Sequence, residues 1–207
     1  RLQQVLPDEP ALLYRALIIQ SARWPEWTQD DSYDPLSILR CIGYGVPDVE
    51  RATTNTDYRT TFISAGEAEI TARECHVYQV PIPHSLRKQA DEYDIRIEVT
   101  LSYVAQPRRT RRNLRRYLST WVDWKSSKLG ESIDSFRQRA LKDQETTSDV
   151  GGRPIPWTLD TRQNWGEIEG VRRTTGTVQK DWAMVKSNDL PASFCIAVVG
   201  HQGWSHD

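Results

Sequence analysis

The chain has 207 residues, a formal net charge of -1, 27% charged residues, 38% hydrophobic residues and eight Trp. That is enough apolar material for one large domain or two small ones, and a near-neutral balance excludes a long-range pull toward nucleic acid or an acidic membrane. No apolar run approaches the roughly 18 residues of a membrane span, and three widely spaced Cys (Cys41, Cys75, Cys195) argue against a disulfide framework and for a reducing, cytoplasmic compartment. In chain order, Asp8 is the expected N-cap of a helix over 12–22, with Pro10 in its first turn. Leu12, Leu13, Ala16, Leu17, Ile18 and Ile19 make that helix apolar on nearly every side, the signature of a buried helix. Trp24-Pro25 stops it, since a residue before proline avoids the α region. A polar loop with Asp30-Asp31 follows, then a short helix over 35–41. Gly43 and Gly45 supply the backbone angles of a tight turn, and Pro47 opens a last short helix to residue 52.

From residue 53 the apolar period shifts toward two. Strands are expected over 59–65 and 72–81. The clearest is 95–103, where Ile95, Ile97, Val99, Leu101 and Tyr103 alternate with Arg96, Glu98, Thr100 and Ser102, giving one buried and one wet face. Another strand is expected over 118–124. A helix follows over 132–142, with Ile133, Phe136, Ala140 and Leu141 on one face. Residues 143–153 read as a polar loop ending in Gly151-Gly152, and 175–185 and 194–199 as the last strands. The fold class is therefore α+β: edge helices over 1–53, then a β-sandwich of jelly-roll type over 54–207 with an inserted helix.

Two stretches resemble one family. The helix ending in Ser21-Ala22, followed by Gly43-Tyr44-Gly45-Val46-Pro47, is similar to the C-terminal edge of the catalytic domain in subtilisin-like serine endopeptidases, peptidase family S8. Residues 95–103 and 195–203 continue the resemblance into the C-terminal region of a bacterial intracellular branch, often found beside an AAA-type ATPase. The resemblance implies that the chain is a non-catalytic C-terminal portion of such a hydrolase. It would close the protease domain and add a sandwich that stabilises it or positions partners. The partners implied are the remaining catalytic part of the same protease, an AAA-type ATPase, and the peptide or protein substrate of the parent. It also implies that a further strand follows Gly203-Trp204, so that the sandwich keeps an open edge.

No catalytic residue is carried over. Proteolysis of this kind needs a nucleophile, a base, an orienting acid and oxyanion donors. None of the four His (His76, His84, His201, His206) lies in a His-Gly-Thr setting, and no Ser lies in Gly-Thr-Ser-x-Ala. Ser21 reads as a structural hydroxyl bonded to the preceding helical turn. No cofactor and no metal site are expected: adjacent Cys75 and His76 point to opposite faces of a strand, and Asp30, Asp31 and Asp34 read as a solvated loop. The candidate partner-binding residues are Arg108, Arg109, Arg111, Arg112, Arg115 and Arg116. With Tyr103, Tyr117, Trp121 and Trp124 nearby, this run invites phosphates and stacked bases. A solvated connection, or a docking surface for an acidic protein, fits the neutral overall charge better than nucleic acid does. A stand-alone binding module using this basic loop is the alternative to the protease reading.

Overall fold

The computed structural model describes residues 1–29, 32–87, 92–107, 118–141, 152–159 and 176–203. The run Arg108, Arg109, Arg111, Arg112, Arg115 and Arg116 lies outside them, as do Asp30, Asp31, Trp204 and most of the polar stretch 143–153. The helices are α1 (Leu2–Val5), α2 (Ala11–Ser21), α3 (Pro35–Ile42), α4 (Val49–Thr53) and α5 (Ile133–Leu141). The strands are β1 (Cys75–Pro81), β2 (Asp94–Ser102), β3 (Thr120–Ser126), β4 (Val178–Lys186) and β5 (Ser193–Gln202). Both sheets are antiparallel, one with order β1-β5-β3 and one pairing β2 with β4, so the α+β class holds. Among the described residues, β1, β3, β2 and β4 each have one side without a partner strand.

Side-chain alternation decides where each layer sits. On β5, Phe194 and Ile196 join an apolar cluster with Trp124 of β3 and with Ala183 and Val185 of β4. Ile95, Ile97, Val99 and Leu101 of β2 pack against the same cluster, so the two sheets share one core. The alternate residues of β5, Cys195 and Ala197, meet Phe136 and Ala140 of α5 on the other side. The layers thus run α5, first sheet, second sheet, α2. Trp residues serve this packing: Trp124 and Trp157 meet edge to face at 4.9 Å inside the core, and Trp24 meets Trp182 at 4.7 Å beneath α2.

Five expectations need correction. Residues 59–65 form no strand: an isolated bridge joins Thr56 and Arg59, and Tyr58, Phe62 and Ile63 point outward rather than alternating. β1 begins at Cys75 and not at residue 72, because Arg73 holds φ 72 in a turn. Asp8 does not cap α2; it takes φ 65 itself, and the N-cap position belongs to Pro10 with no side-chain bond. The polar face of β2 is not wet. Glu98, Thr100 and Ser102 lie under α2, leaving Arg96 exposed at the end. Pro47 does not open the last helix: Asp48 is the N-cap, its Oδ1 accepting from Arg51 N at 2.6 Å, and α4 begins at Val49. The start of α3 at Pro35 holds, with Asp34 Oδ2 accepting from Ser37 N at 2.9 Å. Gly43 and Gly45 take φ 60 and 91, as their turn requires.

Candidate functional site

Charged side chains cluster at the seam between α2 and the second sheet. Helix α2 ends in carbonyls that have no intrahelical partner and carry the negative end of the helix dipole. Cations collect there. Lys180 of β4 donates from Nζ to the carbonyls of Ile19, Gln20 and Ala22 at 3.1, 3.0 and 2.6 Å. Arg23 Nη1 reaches the carbonyls of Gln20 and Ala22 at 3.0 Å each, and Arg51 Nη1 reaches that of Ser21 at 2.8 Å. Ser21 itself is 1% exposed, and its hydroxyl donates to the Ile18 carbonyl at 2.8 Å while accepting from Asp48 N at 3.1 Å. That hydroxyl is committed to holding α2 against the start of α4, in keeping with a structural reading.

One carboxylate answers these cations. Glu98 of β2, with a side chain 7% exposed, receives Arg23 Nη2 at 2.8 Å, Arg96 Nε at 2.6 Å and Gln20 Nε2 at 3.0 Å. Arg96 also lies over the Trp182 ring at 5.0 Å. Further along the seam, the Arg15 guanidinium donates to the Ser102 hydroxyl, the Tyr103 carbonyl and both oxygens of Thr177. Burial pushes the Lys180 ammonium down to about 8; Glu98 opposes this, and Arg23, Arg96 and Arg51 add to it. Burial likewise lowers Arg23, with Glu98 again working the other way. Among the described residues there is no group of three or more His, Cys, Asp or Glu able to hold a metal, and no helix is long and apolar enough to cross a membrane.

Beside the seam opens a cleft of about 400 Å³. Arg23, Arg51, Arg59 and Arg96 line it together with Ile82, Leu190 and Phe194 of the shared core. Arg59 donates from Nη2 to the Thr54 carbonyl at 2.7 Å, while its Nε is buried without a hydrogen-bond partner.

None of these groups belongs to the basic run singled out in the sequence. The signal for them was the unusual placement of charge inside β-patterns: Lys180 and Asp181 within Val178–Lys186, and Arg96 with Glu98 in Asp94–Ser102. Such charges, once buried in a strand, must find partners. A scan of protein-family models, a search of curated proteins and a search of solved structures each found no match to this chain.

Proposed function

We propose that the chain is the non-catalytic C-terminal part of a subtilisin-like serine endopeptidase of bacterial, cytoplasmic type. Residues 1–53 would complete the protease domain, and residues 54–207 would form a jelly-roll-like sandwich that stabilises it or positions substrates and an AAA-type ATPase. The observation that carries this reading is the uncovered side of α2. The second sheet takes one face of the helix; Leu17, Ser21 and Ala22 are buried, yet Ile18 remains 43% exposed. Around it, Leu2, Tyr14, Pro47, Val49 and Ala52 complete an apolar depression of about 470 Å³. A helix so apolar on its free side calls for another apolar surface, and contiguous apolar patches of this kind mark contact sites. In the family it resembles, the surface against this helix belongs to the catalytic α/β domain. The Gly43–Pro47 turn and the structural use of Ser21 are in keeping with that place in the fold.

Two outcomes are expected from the purified chain. It turns over no casein and takes no fluorophosphonate label, because nucleophile and base are missing. It also associates by light scattering and binds a hydrophobic dye, and Ile18→Glu reduces both. A labelled serine would overturn the non-catalytic reading. A monomeric wild-type chain that leaves the dye unbound would remove the argument for a covering catalytic domain.

A further inference from the structure

We propose that the cleft between Arg59 and Phe194 binds a small monocarboxylate with an apolar body, its carboxylate on Arg59 and Arg51 and its body against the shared core.

The charge pattern comes first. Of the four guanidinium groups that line the cleft, Arg23 and Arg96 share Glu98. The other acid on the lining, Asp94, is engaged by Lys186 at 2.9 Å. Arg51 and Arg59 donate only to backbone carbonyls, those of Ser21 and Thr54, and have no carboxylate among the described residues. Arg59 Nε is shielded from solvent and lacks an acceptor. A buried donor left unmade is costly, and a planar guanidinium fork fits a carboxylate. The charge and donors at the site therefore suit an anion rather than a cation or a neutral polar group.

The rest of the lining has a different character. Ile82, Leu190 and Phe194 are 8%, 8% and 6% exposed and belong to the core that the two sheets share, and the exposed Phe62 also lines the cleft. A free inorganic anion would leave these apolar side chains unused, and a neutral hydrocarbon would leave the arginines unanswered. A molecule with both parts uses both, and the volume of about 400 Å³ lies in the range of small-ligand sites. The inference does not depend on the protease reading.

The test is calorimetric titration of the full chain with octanoate, 1-octanol and acetate. Octanoate is expected to bind saturably, with 1-octanol at least about tenfold weaker for loss of a charge-assisted hydrogen bond, and acetate at least about tenfold weaker for loss of the buried methylenes. Arg59→Gln should weaken octanoate about tenfold and leave 1-octanol unchanged. A second measurement needs no variant: the Arg59 Nε–H proton resonance should shift with octanoate and stay put with 1-octanol. Absence of saturable octanoate binding, equal binding of 1-octanol or acetate, or an Arg59 signal blind to octanoate would each overturn the proposal.

Discussion

Lys180→Met is expected to lower the unfolding free energy by about 2 kcal/mol at neutral pH, and the deficit should widen as pH rises above 8. The neutral-pH loss is a balance. Methionine fills much of the same volume but gives nothing to the carbonyls of Ile19, Gln20 and Ala22, each of which now takes a charged donor. A hydrogen bond to a charged group contributes about 1.5–3 kcal/mol, and a cation at a partly buried helix C-terminus up to about 2. Against this, Arg23 Nη1 still serves Gln20 and Ala22, and removing the ammonium relieves its repulsion by Arg23, Arg96 and Arg51. The pH dependence has a fixed sign. The folded-state value of about 8 lies below the free-lysine value of 10.5, so between those limits the unfolded chain binds more protons. Wild-type stability from this group therefore rises with pH through that window, by at most about 1.4 kcal/mol per unit, and is flat below it. Urea unfolding of both proteins at about pH 7 and about pH 9.5 checks it. A deficit that shrinks at the higher pH would mean that the buried nitrogen is held as an ammonium more tightly than in water.

Why this seam is hard to read in the sequence follows from what joins it. Local signals place the pieces well: α2, the Gly43 and Gly45 turn, β2 and α5 all fall within a few residues of the pattern-based expectation. Alternation in β2 identifies two faces but not what covers them. The face bearing Glu98 and Thr100 is answered by Arg15, Gln20 and Arg23, about 80 residues earlier, and by Lys180, about 80 later. Within Ala11–Ser21, Arg15 and Gln20 are the long polar exceptions in an apolar helix, and both are spent on β2 or its continuation. An apolar-all-round reading thus describes the free side of α2 correctly and misses the polar half of its contact. The same holds for Asp181, which faces the core with 0% exposure because Oδ1 accepts from Leu159 N at 2.9 Å and Trp182 N at 2.8 Å. Its partner at residue 159 comes from a segment with no periodic pattern at all. Residues 59–65 fail in the opposite direction. Their mixture of Thr, Phe and Ile has strand-like propensity, but among the described residues no strand pairs with them, and propensity for a strand is largely a preference for such a partnered surface. That irregular path is what carries Arg59 to the cleft.

Gly45→Ala should be far more damaging than Gly43→Ala, although both glycines sit in one turn with positive φ. At Gly43, with φ 60, a new Cβ would meet nothing within 4 Å, so only the backbone conformation is penalised, by about 1–2 kcal/mol. At Gly45, with φ 91, the Cβ would stand 2.1 Å from the carbonyl oxygen of Arg23, 2.4 Å from its carbon and 2.8 Å from Trp24 N. These are backbone atoms and cannot swing aside as a side chain would. Nor can the strand of chain at Arg23 simply retreat. It is tied to Val46 by Arg23 N to the Val46 carbonyl at 3.0 Å and Val46 N to the Arg23 carbonyl at 2.9 Å. Conformational strain and overpacking together set the expected loss at about 3–5 kcal/mol, comparable with much of a small domain's stability. The consequence reaches the seam, because the backbone that moves is that of Arg23, whose guanidinium holds Glu98 and the end of α2. Thermal unfolding of the two variants side by side provides the measurement, with Gly43→Ala as the control for positive φ alone. If Gly45→Ala melts no lower than Gly43→Ala, the bridge between Arg23 and Val46 is not fixed, and Arg23 is positioned by its salt bridge rather than by the turn.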